Sequence, residues 1–133
     1  MSIGSIALSG MMAASTRLQV GANNIANASS SGPVAGSSNA ADYPAAYSAQ
    51  RVDQVDSQGG GTRAIVRNTS PATTSAYDPS APYADSNGMV ASPNVDMAGE
   101  AVQLLTARIS FAMNAQVMRT QSQMMRSLLD VTA

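Results

Sequence analysis

The bulky apolar side chains of this 133-residue chain collect at its two ends. Counting Leu, Ile, Val, Met and Phe, residues 1–28 hold nine and residues 94–133 hold fifteen, whereas the 65 residues between them hold only seven. All six prolines, from Pro33 to Pro93, fall in that middle section. The pattern predicts an N-terminal helix over 1–28, a polar middle segment over 29–93 and a C-terminal helix over 94–133.

In the first segment Met11, Leu18 and Ile25 recur every seven residues, and Gly4 continues the row toward the start. Ala7, Ala14, Gly21 and Ala28 form a second row of small residues. Together they make a seam with one large and one small layer. Small residues let a second helix approach to the lower end of the usual spacing of about 8–10 Å. Ser2 suits the start of this helix, and the run Ser29-Ser30-Ser31-Gly32-Pro33 stops it.

The C-terminal segment repeats at seven through Met97, Leu104, Phe111, Met118 and Met125. A second stripe runs through Val102, Leu105, Ile109, Met113, Val117, Met124, Leu128 and Val131. The two cover more than the ~100° arc of an ordinary amphipathic helix, so this helix requires neighbours on more than one side. Asn94 is the expected N-cap, with Asp96 and Glu100 near the positive end of the helix dipole.

In the middle, residues 29–42 read as loop, and Ala49–Asp56 and Thr62–Arg67 read as two strands of a hairpin turned at Gly59-Gly60-Gly61. Residues 71–93 read as turns, punctuated by Asp78-Pro79, Asn87-Gly88 and Ser92-Pro93. The fold class is therefore mainly α with a small β element. The long terminal helices pack as an antiparallel coiled-coil-like pair around a loop-and-hairpin middle.

Composition then narrows the chemistry. The chain has no His, Cys, Trp or Lys, so imidazole bases and ligands, thiolates, Schiff bases and a P-loop lysine are all excluded. The hydrophobic fraction of 44% contains 24 alanines, and Leu, Ile, Val and Phe together number 22. That leaves little material for a core, below the roughly one-fifth share typical of packed domains. Net charge is −1, with seven scattered arginines and five Tyr or Phe, which argues against a nucleic-acid partner. No apolar run approaches the ~20 residues of a membrane span, and the N-terminus lacks the basic region of a cleaved signal peptide.

The local motifs are weak. Asp85-Ser86-Asn87-Gly88 opens like a calcium loop, but Val90 and Asp96 stand where that loop needs Gly and Glu, so a turn is the better reading. The three glycines have no following helix or lysine to complete a phosphate site. Asp53 and Asp56 lack an apolar pocket that would separate their pKa values for acid–base work. Asn27-Ala28-Ser29 and Asn68-Thr69-Ser70 match the glycosylation triplet, a frequent chance pattern. The internal methionines read as soft packing filler. No catalytic residue, cofactor, metal or small-molecule substrate is expected.

Both ends carry a resemblance. Ala7–Leu18, running into Asn23-Asn24-Ile25-Ala26-Asn27, resembles the N-terminal helix of bacterial flagellar axial proteins, in which an Asn-rich element ends the helix. Tyr43-Pro44, Tyr77-Asp78-Pro79 through Ala84-Asp85, Gly88-Met89-Val90 and Pro93-Asn94-Val95-Asp96 resemble, in order, the proximal-rod subunits of the flagellar basal body. Glu100, Arg108, Phe111-Ala112, Asn114 and Met124-Met125 follow in the order of that family. Ala81 and Met89 depart from it, standing where a His and an aromatic residue are common.

The resemblance implies a structural subunit, not an enzyme. Such subunits pack their terminal helices into a helical tube that transmits motor torque across the periplasm. They are exported unprocessed through the type III export apparatus. Expected partners are other rod subunits, copies of itself, the hook-basal body complex and the MS-ring at the base. The expected subunit contacts are Met11, Ala14, Leu18, Gly21, Ile25, Leu104, Ile109, Phe111, Met118, Met125 and Leu129. The expected family-motif positions are Asn23, Asn24, Asn27, Asp85, Gly88, Pro93, Asn94, Val95, Arg108 and Asn114. Alternatives are a different axial subunit, or a membrane-surface amphipathic protein, against which the lack of a basic face counts.

Overall fold

A computed structural model describes residues 2–38 and 40–132. Met1 and Ala133, the outer ends of the two expected terminal segments, and Asn39 of the expected loop lie outside the described residues.

Helix α1 spans Ile3–Ala26. Its start is capped by Ser2, whose backbone is extended and whose Oγ accepts the Ser5 amide at 3.2 Å. Its end is closed by Asn27, which donates both its backbone N–H (3.0 Å) and its Nδ2 (2.9 Å) to the Asn23 carbonyl. Helix α2 spans Met97–Thr132, and it lies antiparallel to α1 as expected. Its N-cap is Asp96 and not Asn94: Asp96 Oδ1 accepts the Ala98 amide at 3.0 Å, and its carbonyl accepts Glu100 N at 2.8 Å. Asn94 is engaged elsewhere: its N–H donates to the Ala72 carbonyl (3.0 Å) and its Nδ2 to Pro71 O (2.9 Å).

Between the helices lie two separate antiparallel hairpins. Strands β1 (Gln50–Asp56) and β2 (Thr62–Asn68) pair with Val52 opposite Val66 and Asp56 opposite Thr62. Their turn places Gly59, Gly60 and Gly61 at φ of +97°, +95° and +87°. Side chains avoid that region, so the glycine run is a backbone requirement. The hairpin packs on α1, where Ser9 Oγ accepts the Thr62 amide at 3.1 Å.

Strands β3 (Thr73–Tyr77) and β4 (Met89–Pro93) form the second hairpin, where the sequence pattern had suggested only turns. Asp85 closes its long connection, with Oδ1 accepting the amides of Asn87 and Met89, each at 2.8 Å. Gly32 pairs with Ala91 at the edge of β4 and ties this hairpin to the chain leaving α1. Ala49 links the two hairpins: its N–H donates to Ala72 O (3.2 Å), and its carbonyl accepts Thr69 N (2.8 Å).

The core is thin. Among the described residues its buried apolar members are Ala7, Ala13, Ala14, Val20, Ala49, Val90 and Ala107, mostly alanines. The helices meet through small residues, which lets backbones come close but buries little apolar area per residue.

Candidate functional site

The inner face of α2 is its less apolar one. Glu100, Ala107, Asn114 and Gln121 recur every seven residues and turn toward α1, interleaved with half-buried Leu104 and Met118. Opposite them α1 presents small residues. A Cβ at Gly10 would lie 2.8–2.9 Å from the Asn114 amide, and one at Gly21 would lie 2.9 Å from Leu104 Cδ2. Gly4 abuts Gln121 in the same way. Asn114 cannot swing aside freely, because its Nδ2 donates to the Ser110 carbonyl at 2.8 Å. Size on one helix is matched by its absence on the other, which sets the register of the pair.

The seam ends in a polar junction. Asn24 is 1% exposed and uses both ends of its amide. Its Nδ2 donates to the Gln50 carbonyl and to Glu100 Oε1, each at 2.7 Å. Its Oδ1 accepts from Tyr47 Oη at 2.9 Å and from the Gln50 amide at 3.0 Å. One side chain therefore joins α1, the segment before β1, β1 itself and the first turn of α2. Burial, and secondarily the Glu100 charge, raise the Tyr47 pKa above its ordinary 10.0, keeping the phenol a donor.

The outer face of α2 is apolar. Val102, Leu105, Ile109, Met113, Val117, Met124, Leu128 and Val131 are all exposed, from 44% at Val117 to 85% at Val131. On α1, Ile3, Ile6, Leu8 and Met12 are exposed as well. The methionines expected as filler thus divide: Met11, Met89 and Met118 are half-buried, while Met12, Met97, Met113, Met124 and Met125 face outward. Exposed apolar stripes of this length are characteristic of interaction surfaces, whether with protein or with membrane.

The expected contact residues separate into two groups. Ala14 and Gly21 are buried in the seam within the chain, and Met11, Leu18, Ile25, Leu104 and Met118 are half-buried along it. Ile109, Phe111, Met125 and Leu129 are exposed. Among the motif positions, Asn24 and Asn27 hold the junction and the helix end, while Asn23 is exposed and contributes its carbonyl. Asp85, Gly88, Pro93, Asn94 and Val95 build the second hairpin and its lead into α2. Arg108 is exposed; among the described residues, ion pairs join only Asp53 to Arg51 (3.5 Å) and Arg67 (3.3 Å). Tyr47, Gln50 and Gln121 were missed as positioning residues. For Gln121 the seven-residue row from Glu100 was the available signal, obscured by the more apolar row beside it; Tyr47 and Gln50 carried none.

Comparison with known proteins accounts for this arrangement. Residues 5–33 match the family described as flagella basal body rod protein. Residues 86–131 match the flagellar basal body rod FlgEFG protein C-terminal family. The chain is 37% identical over 128 residues to the flagellar basal-body rod protein FlgC of Salmonella typhimurium, covering 93% of this chain and 91% of that protein. The chain belongs to the flagellar basal-body rod family. FlgC of Escherichia coli O6:H1 is 35% identical over 130 residues, covering 93% of this chain and 91% of that protein. FlgC of Agrobacterium fabrum is 34% identical over 129 residues, covering 95% and 90%.

The two family matches fall on α1 with its Asn-rich end and on β4 with α2, the segments that form the seam and the outer stripe. This family consists of structural rod proteins and is not known for enzymes. No helix among the described residues is long and apolar enough to cross a membrane.

Proposed function

We propose that this chain is a structural subunit of the flagellar basal-body rod, built into a helical tube through the outward stripe of α2. The observation that carries this reading is the inverted distribution on α2. Its polar row faces the chain's own α1, and its apolar row from Val102 to Val117 faces outward. Covering the exposed half of each large side chain on that stripe by neighbouring subunits contributes roughly 1 kcal/mol apiece.

The neighbours are other rod subunits and copies of this chain, with the MS-ring at the base and the hook-basal body complex above. The hairpins, carried on α1 and at its C-terminal end, form the outer contacts. Export is by the type III apparatus without signal cleavage, and the thin alanine core suits a chain that crosses a narrow channel unfolded. Torque passes through the tube because each subunit holds its neighbours by rigid helices.

The test is electron microscopy of basal bodies from a strain lacking this chain, with and without complementation. The expected result is loss of rods and swimming, restored by the native chain. Normal rods and normal swimming in the deletion strain would refute the proposal.

A further inference from the structure

The hairpin of β1 and β2 carries a face that the fold does not use. Side chains alternate along each strand, so Arg51, Asp53 and Val55 of β1 share one side with Arg63, Ile65 and Arg67 of β2. In that ladder Arg51 stands opposite Arg67, Asp53 opposite Ile65, and Val55 opposite Arg63. Thr62 and Ala64 alternate with these residues and lie with Ser9, Met12 and Ala13 of α1. The three arginines are exposed, and Asp53 and Ile65 between them are half-buried.

Three of the seven arginines in a chain of net charge −1 therefore stand on one short face. Like charges directly opposite each other weaken a strand pair, so the fold by itself gives no reason for Arg51 to face Arg67. Asp53 offsets the repulsion, with Oδ1 3.5 Å from Arg51 Nε and Oδ2 3.3 Å from Arg67 Nε. One carboxylate is shared between two guanidiniums, and each guanidinium has five N–H donors. Arg63 has no ion pair among the described residues. Asp56, the second carboxylate of the hairpin, belongs to the other side, opposite Thr62.

The chemistry of the face selects its partner. Guanidinium groups pair with carboxylates, as two of these already do with Asp53. The turn Ser57-Gln58-Gly59-Gly60-Gly61 has no apolar side chain to enter a lipid layer. No aromatic residue lies between Gln50 and Asn68 to stack a base. With only Val55 and Ile65 among the charges, the face lacks the apolar centre of a protein interface.

We propose that this face docks on the cell-wall glycan, pairing Arg51, Arg63 and Arg67 with the carboxylates of its peptide stems. This deepens the rod-subunit reading and rests on it, since a rod crossing the envelope runs beside that glycan. Each exposed pair is weak by itself. A polymer offering many carboxylates engages several arginines together, and the individual pairs exchange quickly enough to let a rod turn.

The test is co-sedimentation of the purified full-length chain with insoluble wall sacculi at about 0.05 M salt. The expected result is retention that falls at least tenfold at about 0.5 M salt and at least tenfold on sacculi whose carboxyls have been amidated. R51Q/R67Q is expected to lose at least tenfold with unchanged circular dichroism. R119Q/R126Q, the same charge change at exposed positions on α2, is expected to stay within twofold of the native chain. Asp53→Asn releases both guanidiniums and is expected to raise retention at least twofold. No retention, equal retention on amidated sacculi, or equal loss in the two double variants overturns the proposal. Preference for phosphatidylglycerol vesicles or for polyglutamate over sacculi overturns it as well. Sedimentation of the free chain does not depend on assembly, so its failure leaves the rod reading intact, whereas rods in the deletion strain overturn that reading itself.

Discussion

Replacing Asn24 by alanine is expected to loosen the whole molecule from one position. The change strips the Gln50 carbonyl and Glu100 Oε1 of a donor at 2.7 Å each, and strips Tyr47 Oη and the Gln50 amide of an acceptor at 2.9 and 3.0 Å. Four bonds at a net ~0.5–1.5 kcal/mol each give about 2–6 kcal/mol. Water reaches the half-buried partners, which favours the lower half of that range, about 2–4 kcal/mol. Against a domain stability of roughly 5–15 kcal/mol this is a large share.

The assay is urea unfolding followed by circular dichroism, with hydrogen exchange of the Gln50 amide as the local readout. Asn24→Asp sharpens the test because it preserves volume and acceptor but sets a second carboxylate where Nδ2 now meets Glu100. Crowding against a neighbouring carboxylate raises the introduced aspartate's folded-state pKa above its unfolded value of about 4. The folded form then holds more protons, so the variant's deficit is full at neutral pH and shrinks as pH falls toward about 4. A loss under about 0.5 kcal/mol for Asn24→Ala, or a pH-independent deficit for Asn24→Asp, would refute the junction's role.

Other outcomes follow from the same geometry. Gly10→Val drives a side chain into the anchored Asn114 amide and is expected to destabilise by about 1–3 kcal/mol through forced separation of the helices, read by thermal unfolding. Ala14→Leu, at a position 3% exposed in the same seam, is expected to impair assembly and swimming while export into the periplasm continues. Ile109→Asp alters a half-exposed outer position, so monomer stability should change by less than about 0.5 kcal/mol while rod assembly in a complemented strain fails. Because burial and then Glu100 raise the Tyr47 pKa, the stability it contributes is full below the ordinary 10.0 and is lost as pH rises through the folded value. Tyr47→Phe should flatten that alkaline limb in pH-dependent unfolding.

Much of this fold was legible because helices announce themselves by period. The seven-residue rows on both terminal segments, the serine cap and the Ser-Gly-Pro stop placed α1 and α2 to within a few residues of their ends. The hairpin of β1 and β2 was legible through its glycine run, since a backbone needing positive φ at successive positions admits little else. The second hairpin was not. Thr73–Tyr77 and Met89–Pro93 hold few bulky apolar residues, and they pair because Asp85 folds their connection and Gly32 closes the edge of β4. Asn94 misled for a related reason, being committed to a carbonyl across the hairpin and unable to cap a helix.

The site was half legible. Local pattern established two sticky ends, a polar middle, an alanine-thin core and a helix with more apolar surface than one partner can cover. It did not establish which face of α2 the chain keeps for itself. Hydrophobicity alone favours putting Val102, Leu105 and Ile109 against α1, yet the fold turns Ala107, Asn114 and Gln121 inward. That choice rests on pairwise complementarity between residues far apart in the chain: Gly10 receives Asn114, Gly4 receives Gln121, and Asn24 satisfies Glu100. Period reveals that a row exists, but only close approach between two helices ranks one row above another, and here steric fit and hydrogen bonding outweigh apolar area.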